Sequence, residues 1–497
     1  VSSITIKSSA VSPVAGWRRF LADSLLVGAA TVVCQALGVC TSILFRLLLD
    51  PAQMGVWQAL KMALGYANYA NLGVSKGAAR EVAIARGRGD HVAAAACANL
   101  AFTANTVSSA VYGLALLALA TVILIQDAGP SARAWSLGLA AMSILVVLQR
   151  HVSFQVTLLR ARRSFGVTSL VNISEAALTL CAGALLVWWW GLLGLYLATA
   201  LTLLASLALV EHNSPRLAWS WDRAELRRLL RIGAPMLLVG LATTLAFSMD
   251  RWVILTCSTR REFDLGCYSL ALLGTAQLNG MASLFSIVAG PQYAELFGHS
   301  QDTRSVARFA ARVSEVVAAA MSIVGLAAIV LAPWLLGSIL PDYRAGLAPL
   351  AARVPGAVAM ALAATATQHL LVVDRAWKAL AALMPGMLIS GIGGWWALSH
   401  GQGLIGVAWA MTASEVVYLI ISSHLAFGGE LRLRERARHW GIALSAVGGL
   451  AIVAMRQGAS HDMAAWGGAV FVLTSSPILL CVWQGAKSRN RRCTVSD

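Results

Sequence analysis

Apolar runs of about 20 residues recur along almost the entire chain, and no other feature limits its fold so strongly. A helix rising about 1.5 Å per residue crosses a hydrocarbon core of about 30 Å in that length. In lipid, backbone groups must be bonded within their own segment or in a closed barrel; the runs are continuous rather than alternating, which predicts helices and not a membrane β-barrel. Spans are expected at 22–48, 53–75, 93–125, 135–158, 167–189, 191–211, 232–256, 266–290, 309–337, 347–373, 378–398, 402–427, 439–456 and 464–485, about fourteen in all. The boundary between the fifth and sixth, around Trp190 and Gly191, is the least sharply marked. Composition agrees: 58% of residues are hydrophobic and 12% charged, where a soluble domain carries about a quarter charged.

A formal net charge of +16 could mark a nucleic-acid binder, so the placement of the basic residues decides its meaning. They fall in short clusters between spans: Lys76, Arg80, Arg86 and Arg88; Arg160, Arg162 and Arg163; Arg223, Arg227, Arg228 and Arg231; Arg304, Arg308 and Arg312; Arg432, Arg434, Arg436 and Arg438; Arg489, Arg491 and Arg492. About 28 of the 38 lie on one side of the expected topology, which the positive-inside rule reads as cytoplasmic, with both termini inside. The segment after Trp17, Arg18 and Arg19 is too long for a signal-peptide core and is read as the first span. Cys34, Cys40, Cys97 and Cys181 lie within apolar runs, no C-x-x-C spacing occurs, and neither metal nor cofactor is expected. Cys257 and Cys267 flank an external loop and are expected as free thiols rather than a disulfide.

Short patterns repeat at offsets of 211 to 213 residues: Gly55-Val-Trp-Gln-Ala with Gly266-Cys-Tyr-Ser-Leu, Gly191-Leu-Leu-Gly with Gly403-Leu-Ile-Gly, and Arg162 with Arg375. The offset equals six spans, and an even number implies parallel repeats about an axis along the membrane normal. The expected fold is therefore an all-α polytopic membrane protein of two six-helix lobes, 1–215 and 216–430, with two further helices and a tail in 431–497. The loops are too short for a soluble catalytic domain, and no G-x-x-x-x-G-K-[ST] phosphate loop is present.

Ionisable residues inside spans cost at least about 2.5 kcal/mol at the bilayer centre, so they face partners or wet cavities. Gln58, Lys61, Gly65, Asn68 and Asn71 make one polar stripe on the second span; Gln35, Gly38, Ser42 and Arg46 make another on the first; Thr244, Ser248 and Arg251 lie beside Asp250 on the seventh. Gln149, Arg150 and His151, Glu175, Arg353, Gln368 and His369, and Glu415 complete the set. Several have structural readings: Arg46 snorkelling from a helix end, Asp250 and Arg251 as a local brace, Arg150 paired with Glu175, His369 in the core, and Glu415 either a coupling site or an interhelical bond. Cations outnumber acids in the stripes, which suits an anionic cargo headgroup, since charge-assisted bonds would replace lost hydration. Arg251 is the leading cargo candidate, with Asp250 expected to orient its guanidinium.

Arg46-Leu-Leu-Leu-Asp-Pro-Ala-Gln-Met-Gly55, Asn71-Leu-Gly-Val-Ser-Lys-Gly-Ala-Ala-Arg-Glu81, Asp250-Arg251 with Leu265-Gly-Cys-Tyr-Ser269, and Gly290-Pro-Gln-Tyr-Ala-Glu295 resemble, in order and spacing, the span junctions of Wzx-type O-antigen and exopolysaccharide flippases of the multidrug/oligosaccharidyl-lipid/polysaccharide (MOP) exporter superfamily. The resemblance implies two lobes in a V around a cationic cavity in the bacterial inner membrane. It also implies alternating access and an undecaprenyl-diphosphate-linked glycan as cargo, with membrane lipids, a polysaccharide polymerase and export machinery as candidate partners. From the polar residues within the spans, the substrate-binding candidates are Arg251, Lys61, Arg46, Asn68, Arg150, Arg353 and His369, with Asp250, Glu175 and Glu415 for coupling or ion pairing. The charged segment 259–264 departs from the pattern at the external loop. Rival readings are an ion-coupled multidrug exporter, which would want more cavity carboxylates, and a membrane-embedded polymerase or ligase, which would want a large external loop.

Overall fold

The computed structural model describes residues 13–456 apart from 128, 163, 215, 301 and 374. The expected span 464–485 and the arginines at 489–492 lie outside the described residues. Among the described residues fourteen α-helices follow in order: α1 (Pro13–Leu48), α2 (Pro51–Ala67), α3 (Val74–Gly87), α4 (His91–Gln126), α5 (Pro130–Ala161), α6 (Phe165–His212), α7 (Arg223–Ala246), α8 (Met249–Cys257), α9 (Arg261–Ser300), α10 (Thr303–Ile339), α11 (Leu347–Val372), α12 (Ala376–Ser399), α13 (Gly403–Phe427) and α14 (Leu433–Arg456). A 3-10 turn, Pro341–Gly346, precedes α11.

Aspartates set several of the chain reversals. Asp50 accepts a bond from the Gln53 amide at 2.9 Å, with Pro51 opening α2, and Asp90, Asp222 and Asp302 cap α4, α7 and α10 in the same way. Each satisfies amides that the first helical turn leaves without partners.

Nine of these helices are long and apolar enough to cross a bilayer, or ten if the bent α7 is one span. Two features of the backbone lower the number. The second span is divided into α2 and α3 by a non-helical stretch in which Leu72 and Gly73 have φ of 51° and 92°. The fifth and sixth run together as α6, broken only at Gly191 (φ 55°, ψ −131°). Exposed Leu, Val and Trp side chains face outward, including Trp188, Trp189 and Trp190 beside that break. Such a surface suits lipid, with aromatic rings at the interface; the chain is a multi-pass membrane protein.

The repeat is visible in atomic contacts. A Cβ at Gly55 would collide with the carbonyl of Glu262, and a Cβ at Gly266 with the carbonyl of Pro51. Both residues of each pair are displaced by 211 positions, so α2 and α9 meet through the same patch used twice, as a two-fold relation requires. Gly191 and Gly403 likewise share positive φ, 55° and 58°, at matching breaks. Glycine at such contacts lets backbones approach closely, which drives helix association in lipid.

Within the first half, α1 packs on α6 and α4 on α5; within the second, α11 and α12 pack on α13. The halves join along two seams, α2 with α9 and α3 with α7. At the second, Gly73 and Gly233 touch backbone to backbone and Arg228 bonds Glu81 at 2.9 Å, on the face carrying the basic loops. At the opposite face, the Tyr343 hydroxyl donates to the Leu49 carbonyl at 2.8 Å. The charged segment there is compact: α8 ends at Cys257, exposed, and α9 begins at Arg261, with Cys267 buried nearly two turns on.

Candidate functional site

Two adjoining cavities lie in the first half, one of them reaching Ser283 of α9. The inner one, of about 290 Å³, is lined by Gly38, Ser42 and Arg46 of α1, Trp57, Gln58 and Lys61 of α2, Gln149 of α5, and Glu175, Thr179, Thr199 and Thr202 of α6. The outer one, of about 660 Å³ and nearer the basic face, is lined by Thr31 and Cys34 of α1, Arg160 of α5, Phe165, Thr168, Ser169, Asn172 and Glu175 of α6, and Ser283 of α9. Glu175 belongs to both.

Arg46 does not snorkel. It is buried, donating from Nε to Ser269 Oγ at 3.1 Å, from Nη2 to the Ser269 carbonyl at 2.8 Å, and from Nη1 to the Ser42 carbonyl at 2.7 Å. It thereby fastens α1 to α9 while lining the inner cavity. The Lys61 side chain is exposed to the cavity, with its ammonium 6.0 Å from the Trp57 ring centre and no anionic partner among the described residues. Arg46 and Arg251 both repel Lys61, which places the three cations in one electrostatic neighbourhood. Arg251 arrives from α8, beyond the break in the seventh span, and donates from Nη2 to the Phe247 carbonyl at 3.1 Å; its buried Nε has no hydrogen bond.

Asp250 forms an ion pair with that guanidinium, the local brace among the expected readings, but makes no hydrogen bond to it. Its carboxylate accepts the Arg251 backbone amide at 2.8 Å and the Tyr268 hydroxyl at 2.9 Å, leaving Arg251 Nε 3.8 Å away, beyond hydrogen-bond range. The aspartate serves the break in the helix and its junction with α9, because a buried carboxylate must be satisfied locally.

Among the described residues Arg150 pairs with neither Glu175 nor any other acid. It donates to Asn68 Oδ1 at 2.9 Å and to Asn105 Oδ1 at 2.6 Å, while Asn71 also reaches Asn105 at 3.3 Å and accepts the Gly73 amide at 3.2 Å. The polar stripe of the second span is thus divided: Gln58 and Lys61 face the cavity, whereas Asn68 and Asn71 brace the gap between α2 and α3. His151 stacks edge-on against Phe102 at 4.9 Å.

The second-half candidates sit apart from these cavities. Arg353 of α11 makes a bidentate bond to Glu415 of α13, at 2.7 and 3.0 Å, with both side chains buried. Glu415 is therefore an interhelical partner. His369 is fully buried, both ring nitrogens lack hydrogen bonds, and its ring lies 6.1 Å from Phe427. Gln368 lines a separate crevice with Tyr293.

Sequence reasoning missed Tyr66 and Tyr69, which tie α2 and the turn after it to the seventh span: Tyr66 to Ser248 at 2.5 Å, Tyr69 to Thr244 at 2.5 Å and to the Gly240 carbonyl at 2.8 Å. Their three-residue spacing beside the polar stripe was the available signal. Asn105, in the polar run Thr103 to Ser109 of α4, was another. At the opposite face Glu262 accepts from Trp135 at 3.0 Å and Ser131 at 3.3 Å. Burial pushes that carboxyl up, but those bonds, its own backbone amide and Arg261 outweigh it and hold it below the usual carboxylate range.

Residues 43–343 match the family described as polysaccharide biosynthesis protein. No curated protein sequence matches the chain. Among solved structures, an inward-facing multidrug resistance MATE family transporter of the MOP superfamily aligns with TM-score 0.62 and 16% identity, covering 83% of this chain and 98% of its own. Lipid II flippase MurJ in an inward closed conformation aligns with TM-score 0.62 and 13% identity, covering 92% and 99%. A MOP superfamily transporter from Pyrococcus furiosus, noted for the reverse polarity of its binding pocket, aligns with TM-score 0.59 and 17% identity, covering 84% and 95%. At these identities the likeness establishes the fold, which is that of MOP superfamily transporters.

Proposed function

The chain belongs to the polysaccharide biosynthesis protein family, and from that premise we propose that it flips an undecaprenyl-diphosphate-linked oligosaccharide repeat unit between the leaflets of a bacterial inner membrane, outward, for exopolysaccharide or O-antigen synthesis. The observation that carries this reading is that Arg46 and Lys61 line one cavity whose described lining contributes one carboxylate, Glu175, with Arg251 outside that lining but close enough to repel Lys61. A diphosphate would lose tens of kcal/mol of hydration in bare lipid. Guanidinium and ammonium groups with unspent donors replace that hydration by charge-assisted bonds. An exporter of organic cations would be better served by the opposite charge balance.

In this reading the lobes are 1–215 and 216–430, both termini are cytoplasmic, and the outer cavity opens to the cytoplasmic half. Alternating access would open the α2–α9 seam and the Arg46–Ser269 tie while closing the other face. An inside-negative potential favours outward movement of the anion by about 2.3 kcal/mol per charge per 100 mV. The glycan stays in the family of lipid-linked intermediates, with its lipid tail in the bilayer.

The test is polysaccharide export measured beside membrane abundance for Lys61→Ala, Arg251→Ala and Arg251→Lys. Losing a charged bond to the cargo costs about 1.5–3 kcal/mol, a tenfold to hundredfold drop in transport at constant abundance. Lysine at 251 restores only part, because it lacks the planar fork. Normal export by Arg251→Ala and Lys61→Ala at normal abundance refutes the assignment.

A further inference from the structure

Glu175 is the carboxylate shared by the two cavities, and its position divides them. On α1, residues 27–34 line the outer cavity and 38–46 the inner; on α6, residues 165–176 line the outer and Glu175 and Thr179 the inner. The two spaces are therefore successive stretches of one passage, with Glu175 at the boundary. Its carboxylate forms no hydrogen bond or ion pair among the described residues, although Lys61 and Arg46 line the inner cavity with it and Arg160 lines the outer. Thr179 bonds only its backbone carbonyl, at 2.7 Å. An ionisable group at membrane depth without a partner is costly and points to one supplied from outside.

The outer cavity has a different chemistry from the inner. Thr31, Thr168, Ser169, Asn172 and Ser283 give it short hydroxyl and amide groups, and Phe165 gives it an aromatic face. A sugar ring displaces roughly six waters, roughly 180 Å³ at about 30 Å³ each, so a cavity of about 660 Å³ has room for about three rings.

Resting on the flippase reading above, we propose that the outer cavity is the glycan subsite and that Glu175 is its specificity-determining residue, accepting hydroxyls of the sugar joined to the diphosphate. A carboxylate only accepts hydrogen bonds, so it takes the donor hydroxyls of a neutral sugar and repels a second carboxylate. With the diphosphate on Lys61, which lines the inner cavity together with Glu175, the adjoining sugar reaches the boundary at Glu175. The selected class is an uncharged, hydroxyl-rich sugar at that position; acidic sugars belong farther out, toward Arg160. Ser283 comes from α9 in the second half, so the subsite is completed between the halves and senses their relative movement.

The experiment measures binding of three probes to the full-length protein in lipid nanodiscs: undecaprenyl diphosphate, the same lipid carrying glucose, and the same lipid carrying glucuronic acid. The native protein binds the glucosyl lipid at least tenfold tighter than the other two. Glu175→Ala removes that preference, bringing the ratio of glucosyl to bare lipid close to one, and narrows the gap to the glucuronyl lipid. Asn172→Ala, a milder change in the same wall, reduces the glucosyl preference severalfold. Native protein that fails to prefer the glucosyl lipid, or a Glu175→Ala variant that keeps the preference, overturns the subsite. Lys61→Ala and Arg251→Ala distinguish the failure of the underlying reading: if they leave binding of bare undecaprenyl diphosphate unchanged, the cationic headgroup site itself is wrong.

Discussion

Replacing Arg353 by alanine separates a structural charge from a cargo-binding one. Its two bonds to Glu415, at 2.7 and 3.0 Å, lie between side chains 5% and 3% exposed. The pocket is tight: a Cβ at Gly356, one turn along α11, would collide with the Glu415 carboxylate. Alanine at 353 would strand that carboxylate in a dry site, and breaking a buried pair in this way costs about 3–5 kcal/mol. Against a total stability of about 5–15 kcal/mol, that is a large share. Arg353→Ala should therefore reduce membrane abundance and lower the denaturant midpoint of purified protein, with export falling in proportion to abundance. The double variant Arg353→Met/Glu415→Leu removes both charges and fills the space with apolar groups, and such replacements are about neutral or stabilising. It should recover abundance and export together. If Arg353→Ala instead inserts and resists denaturant normally but fails to export, or if the double variant recovers stability and not export, the pair is part of transport and the structural assignment fails.

The reciprocal contact at Gly55 and Gly266 predicts matched behaviour: alanine at either collides with a backbone carbonyl, an overpacking cost of about 1–3 kcal/mol in each case. Each should loosen the α2–α9 seam and raise labelling of a Ser269→Cys thiol by an impermeant reagent from outside; unchanged labelling in both would count against a seam that opens. Orientation is checked by cysteines at Arg88 and Asp127, both exposed and at opposite faces, in protein lacking Cys257: Arg88→Cys should be shielded in intact cells and Asp127→Cys labelled, and equal labelling contradicts the topology.

Spacing alone determined much of this molecule. Continuous apolar runs forced helices because lipid offers the backbone no other partner, the break at Gly191 lay where the runs adjoined, and the 211-residue offset foretold that Gly55 and Gly266 would play equivalent parts. The polar stripes located Lys61, Arg46 and Arg251, because an ionisable residue in a span needs a reason to be there. Tertiary structure decided which reason applied. Asn68 follows Lys61 at the interval that should share its face, yet the gap before Gly73 turns it toward Arg150. Arg353 and Arg251 are alike in sequence, each a cation in an apolar run, but one makes a bidentate bond to Glu415 on α13, and the only acid the other reaches among the described residues is its neighbour Asp250, at 3.8 Å. A helical period records which residues share a face. It carries no information about what the opposing helix brings to that face, and for a charge within the membrane the opposing group separates a brace from a binding site.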